Sequence, residues 1–218
     1  DDFKIFCPDR QCAEKAYEAV RLWLKDRLKL DISPKKSKIV NLKQHYSDFL
    51  GFKLKVKKKA KKFVVSSFMS DKAKKTAKER ISECIKAMKH PPNEREQYKA
   101  IQQYNSVVAG LHNYYRIATN VSLDFADIAF AVKKQLSSRL KDITNEGVLK
   151  RGFIKKKYGK SRQLRFLNGH PLIPVGYVQT KDAQHKKKTV NRYTEQGREE
   201  IHKNLRFDTS VLLWLMEN

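Results

Sequence analysis

From position 71 to position 140 the apolar residues recur at helical spacing in three successive runs, and this pattern limits the fold more than anything else in the chain. The first run is Ala73, Ala77, Ile81, Cys84 or Ile85, and Met88, and it stops before Pro91-Pro92, where a helix loses its backbone donors. The second starts near Asn93, with Glu96 three residues on in a capping-box position, and continues through Tyr98, Ile101, Tyr104, Val107 or Val108, Leu111 and Tyr115. The third runs from about Leu123 to Leu140 through Phe125, Ile128, Val132 and Leu136. Three amphipathic helices joined by short links must bury their stripes against one another. Tyr98, Val108, Leu111, Phe125, Ile128 and Val132 are the expected core.

Before position 71 the period is different. Phe3 to Phe6 alternates apolar and basic residues, as a short strand would. Residues 11–30 carry a helical stripe at Ala16, Val20, Trp23 or Leu24, and Leu28, which predicts a surface helix with one buried face. Ser37 to Leu42 reads as extended. Phe49 to Val56 reads as a strand in which Gly51 permits a bend or a close backbone approach. Seven lysines fall between positions 53 and 62 before Phe63-Val64-Val65 resumes the apolar pattern, so two strands joined by a basic turn are expected. After Lys141 basic groups interleave with aromatics, Pro174 and Gly176 point to an edge or irregular strand, and residues from Glu199 onward suggest a last helix. The fold class is therefore α+β.

Charge narrows the function. The chain has 48 Lys and Arg against 23 Asp and Glu among 218 residues, a formal net charge of +25. Such a surface attracts a polyanion, releases its counterions on contact, and binds more weakly as salt rises. No apolar run reaches the ~18–20 residues that span a bilayer, and the basic residues are spread through folded segments rather than gathered in one tail. Cys7, Cys12 and Cys84 form neither a disulfide framework nor a thiolate metal site, so an intracellular setting is expected. The six histidines are scattered and offer no zinc motif.

Two basic clusters are candidate phosphate contacts. Lys57, Lys58, Lys59, Lys61 and Lys62 are either an exposed turn or a finger that touches the backbone of a nucleic acid. Lys155, Lys156, Lys157, Arg162 and Arg165 lie near Phe153, Tyr158 and Phe166, which either stack on unpaired bases or form a small core. Asp1 and Asp2 are adjacent carboxylates at a turn. A pair like this occurs at ordinary solvated turns, and it can also help to hold Mg²⁺ when a further carboxylate joins it.

Several segments together resemble one family. Asp1-Asp2-Phe3 looks like the end of the Tyr-Ala-Asp-Asp-Phe signature of reverse transcriptases, with its first two residues absent. The stretch from Leu28 to Ile39, containing Asp31-Ile32-Ser33-Pro34-Lys35-Lys36-Ser37, is similar to the segment after the palm helix in that family. Ser47-Asp48-Phe49-Leu50-Gly51-Phe52 resembles its primer grip. Gly110-Leu111-His112-Asn113-Tyr114-Tyr115 resembles the thumb, or maturase region, of bacterial group II intron-encoded proteins, and Arg198 to Leu205 is similar to the stretch that follows it.

The resemblance implies a partial reverse-transcriptase palm over residues 1–68, a helical thumb over 69–141, and a basic α+β region over 142–218 that leads into a DNA-binding domain. The implied activity is that of an RNA-directed DNA polymerase and maturase. It joins a primer 3′-hydroxyl to the α-phosphorus of a nucleotide with the help of two Mg²⁺ ions. Asp1 would be a metal ligand and Asp2 would support the site. Phe49, Leu50, Gly51 and Phe52 would form the primer grip, and His112 and Asn113 would join the lysines at the nucleic acid. The implied partners are intron RNA, the RNA template–DNA primer duplex, target DNA, and a fingers–palm half that supplies the earlier aspartate. The implied setting is the bacterial cytoplasm, with association to the nucleoid. A second reading under the same resemblance is an RNA-binding splicing maturase without polymerase activity; an intact signature upstream of Asp1 separates the two.

In a polypeptide that also carries the fingers and early palm, Asp1→Asn should abolish primer extension while intron RNA binding survives. The 218-residue chain by itself should extend no primer. Near-normal extension by the variant would make the pair an ordinary turn.

Overall fold

The computed structural model describes residues 3–34, 36–140, 144–145, 147–149, 152–181 and 194–204. Contacts divide the chain into two compact units, residues 1–70 and 71–218.

In the first unit, helix α1 spans Arg10–Leu28. It starts where Asp9 accepts a hydrogen bond from the Cys12 amide at 2.8 Å, satisfying one of the free donors of the first turn. It ends at Lys29, whose left-handed backbone (φ 54) turns the chain and brings the Leu30 amide onto the Leu24 carbonyl at 3.1 Å. The predicted stripe has the right phase, since Ala16, Val20 and Leu24 are half-buried. Its burial falls short of the expectation: no residue of α1 is fully buried, and Trp23 is 56% exposed.

The segment Phe3 to Phe6 forms no strand. A side chain holds it instead of a backbone ladder: Lys4 Nζ donates to Ser47 Oγ and to the Asp48 carbonyl, and lies 5.5 Å from the centre of the Phe49 ring.

Three antiparallel strands follow in sequential order, β1 (Ser47–Phe49), β2 (Phe52–Lys59) and β3 (Lys62–Met69). The single strand expected from Phe49 to Val56 is in fact a hairpin. Leu50 (φ 48) and Gly51 (φ 78) both adopt positive φ, the two-residue type I′ geometry whose twist matches that of the strands. Phe49 and Phe52 thereby face each other across the ladder. Glycine takes its position without strain, whereas Leu50 bears the roughly 1–2 kcal/mol that a side chain adds in the left-handed region. The second turn, Ala60-Lys61, joins β2 to β3 and pairs Lys59 with Lys62.

The second unit is built on α2 (Asp71–Lys89), α3 (Glu94–Tyr115) and α4 (Val121–Leu140). Asn93 caps α3 by accepting from the Glu96 amide at 2.9 Å. Ile81, Ile85, Met88, Ile101, Val108, Phe125, Ile128 and Val132 are buried together with Tyr104. Two expected core residues are not among them. Tyr98 and Leu111 are only half-buried, because α3 turns Gln97, Asn105 and His112 inward. Lys74 on α2 reaches the buried Asp124 in the first turn of α4 at 3.2 Å, tying the two helices by charge.

A second antiparallel sheet joins β4 (Thr144–Asn145), β5 (Arg165–Leu167) and β6 (His170–Leu172), with α5 (Phe153–Tyr158) before β5 and α6 (Glu195–Asn204) later in the chain. The turn between β5 and β6 is Asn168-Gly169 with φ 48 and 78, again type I′. The boundary expected near residue 141 is crossed by hydrogen bonds from α3 to Pro171, Ile173 and Val175.

Burial ranks two substitutions on α3. Ile101→Ala should lower unfolding free energy by about 2–5 kcal/mol, and Leu111→Ala by less than half as much. Chemical denaturation of the whole chain measures both; the reverse order would place α3 in a different rotation.

Candidate nucleic-acid interface

The five lysines of the first predicted cluster occupy the far end of the β2–β3 hairpin, and all five are exposed. Strand geometry separates them, because successive side chains leave opposite faces and directly paired residues share one. Lys57, Lys59 and Lys62 are on one face, Lys58 is on the other, and Lys61 occupies the turn. The four residues expected to form a primer grip are at the opposite end of the same sheet: Leu50 is exposed at the tip, while Phe49, Gly51 and Phe52 are half-buried. The Ser70 amide donates to the Gly51 carbonyl at 2.8 Å and closes that end.

The second cluster is divided more sharply. Lys155, Lys156, Arg162 and Arg165 are exposed. Lys157 is half-buried, its Nζ 5.2 Å from the centre of the Phe153 ring and 6.0 Å from that of Tyr158. Tyr158 and Phe166 are core residues, so neither offers a face to an unpaired base. Of the two alternatives for the aromatics, packing holds for these two. Gly147 lies against the Phe166 ring so closely that any Cβ there would collide with it.

His112 is also inside, and the expectation that it touches nucleic acid fails for that reason. Its Nε2 lies 2.8 Å from the Val175 carbonyl oxygen and its Nδ1 lies 3.1 Å from the Tyr158 hydroxyl. A carbonyl only accepts, so Nε2 carries the proton; Nδ1 then accepts from Tyr158. The ring meets Phe125 edge-on at 4.6 Å. Burial pushes the His112 pKa down to about 4, the Val175 carbonyl opposes that shift, and the charge of Lys157 adds to it. Burial likewise raises the Tyr158 hydroxyl well above the usual tyrosine range. Asn113 is half-buried on the next position of α3.

The sequence reading missed the polar inner face of α3. Asn105 donates from Nδ2 to the Pro171 carbonyl and accepts at Oδ1 from the Ile173 amide, both at 2.8 Å. Tyr104 donates to the Ile173 carbonyl at 3.1 Å, and Gln97 Oε1 accepts from Asn168. It also missed an open groove of about 340 Å³ on α2 and α3, lined by Arg80, Ser106, Val107, Gly110, Leu111, Tyr114 and Tyr115. A Cβ on Gly110 would meet nothing within 4 Å, so packing does not demand glycine there.

Asp1 and Asp2, the candidate Mg²⁺ ligands, lie outside the described residues. Among the described residues no group of three or more His, Cys, Asp and Glu side chains could hold a metal ion, and no helix is long and apolar enough to cross a membrane. Comparison with protein-family models, with curated proteins and with solved structures finds no match.

The state of His112 sets a pH dependence. Its folded pKa of about 4 is below the ordinary 6.5, so the unfolded chain takes up the proton first as pH falls. The stability it protects is complete above pH 6.5 and is lost progressively down to about pH 4, roughly 3 kcal/mol in all. Denaturation of the chain at pH 7 and 4.5 should show this loss, and His112→Gln should flatten the difference between the two. An equal pH response in both proteins would place the proton elsewhere.

Proposed function

We propose that the chain binds nucleic acid through the phosphate backbone, as the part of a group II intron reverse transcriptase and maturase that carries the end of the palm and the thumb. The observation that carries this reading is the display of Lys57, Lys58, Lys59, Lys61 and Lys62 at the exposed end of one hairpin, in a chain of net charge +25. Each ammonium can neutralise one phosphate without reading a base, and each such contact releases counterions. Exposed Lys155, Lys156, Arg162 and Arg165 add a second cationic surface in the other unit. In this reading the hairpin serves the primer end of a template–primer duplex and the second surface serves folded intron RNA or target DNA. Polymerisation would need a fingers–palm portion with a further aspartate as a partner, with Asp1 and Asp2 as Mg²⁺ ligands.

Lys155→Ala/Lys156→Ala tests the second surface, with Lys157 left in place because it lies over Phe153 and Tyr158. The chain should bind a folded group II intron RNA more tightly than an unstructured RNA of equal length, with affinity falling as salt rises. The variant should lose intron affinity, and its log–log salt slope should drop by up to about 1.4–1.8 for two phosphate contacts. An unchanged affinity and slope would remove this surface from the interface, and equal binding of the two RNAs would contradict the intron assignment.

A further inference from the structure

We infer that one face of the β2–β3 hairpin is a preorganised lysine row that grips the backbone of a nucleic-acid duplex without regard to sequence. This rests on the proposed function and names the ligand form that the hairpin takes. The row consists of Lys55, Lys57 and Lys59 on β2, continued by Lys62 on β3, which pairs with Lys59. Alternate residues of a strand share a face, so successive lysines of this face leave the β2 backbone about 6.6 Å apart and the three Cα positions span about 13 Å. Lys53 belongs to the same face and its ammonium also lies over the Tyr46 ring, 5.1 Å from its centre, with the acidic Asp48 as its cross-strand neighbour. Lys58 belongs to the reverse face, with Leu54 and Val56.

Two rings hold the inner part of the row. The Lys55 ammonium lies 4.9 Å from the centre of the Tyr46 ring and the Lys57 ammonium lies 5.1 Å from that of Phe68. The two rings meet edge to face at 6.2 Å, so they brace each other. Attraction between a cation and a ring face holds each ammonium in place before a ligand arrives, which reduces the ordering cost of binding. The same arrangement decides what the surface recognises. Each ring already carries an ammonium, so the face presents charge rather than a stacking platform, and unpaired bases gain little from it. A row of cations on a paired strand complements the regular row of phosphates of a duplex, which presents about one charge per 1.7 Å of its axis.

The test exploits neighbours in sequence that leave opposite faces. Lys57→Gln/Lys59→Gln removes two charges from the row, whereas Lys58→Gln/Lys61→Gln removes two charges from the reverse face and the turn. Binding of the full chain to a 20-base-pair RNA–DNA hybrid and to a sequence-scrambled hybrid is measured across salt concentrations, with circular dichroism confirming the fold. Expected for the first pair is a fall of about 1.8 in the log–log salt slope, and for the second less than half of that. Lys62→Gln, on the other strand, should lower the slope by about 0.9. Both hybrids should bind alike. Equal losses from the two pairs, no loss from the first, or a clear preference between hybrids would overturn the row while leaving nucleic-acid binding in place. Failure of the unaltered chain to bind either hybrid or intron RNA would overturn the row and the proposed function together.

Discussion

Asn105 makes the contact on which the second unit most depends. One side-chain amide on α3 donates to the Pro171 carbonyl and accepts from the Ile173 amide, supplying the pair of bonds that a neighbouring strand would give. Tyr104 and His112 add bonds to the Ile173 and Val175 carbonyls, so alternate residues of an extended segment are satisfied from a single helix face. Each such bond contributes about 0.5–1.5 kcal/mol net, and leaving a buried partner unsatisfied costs about 1–3 kcal/mol. The segment after β6 can therefore lie in the interior as irregular backbone. It buries Ile173 and Val175 in the second unit, where Tyr158 of α5 and Leu172 of β6 are buried as well.

That arrangement also explains the distribution of charge in the second unit. His112 is neutral because it is buried, and Lys157 is drawn over Phe153 and Tyr158. The residues left exposed are Lys155, Lys156, Arg162 and Arg165. In the first unit a strand's two-residue period does the same sorting, separating Lys57 and Lys59 from Lys58 although the three are consecutive. In both units secondary structure, not charge density, decides which cations a ligand can reach.

The three long helices were legible because their apolar spacing is local and repeated, and the Asn93 cap of α3 was legible because it too is local. The rotation of α3 was not. The partners of Asn105 lie 66 and 68 residues away and those of His112 lie 46 and 63 residues away, so no local pattern announces them. The Leu50-Gly51 turn falls inside the single strand expected from Phe49 to Val56, where Gly51 was to permit a bend or a close backbone approach, and leucine at positive φ is too rare to signal a hairpin. Asn168-Gly169, by contrast, is a strong local hairpin signal, and the β5–β6 turn it forms was legible in principle from the dipeptide alone. Of the candidate site, the basic clusters were legible from composition, but their facing was not. It depends on pairing register for the first and on ring packing for the second.

Under the proposed function, exposed lysines at the end of the hairpin meet phosphates. Amine-modification footprinting by mass spectrometry measures this directly, comparing each lysine of the chain with and without a saturating RNA–DNA hybrid. Lys57, Lys59 and Lys62 should be protected by the hybrid while Lys58 keeps most of its reactivity. Uniform reactivity at all four, with the hybrid demonstrably bound, would contradict it.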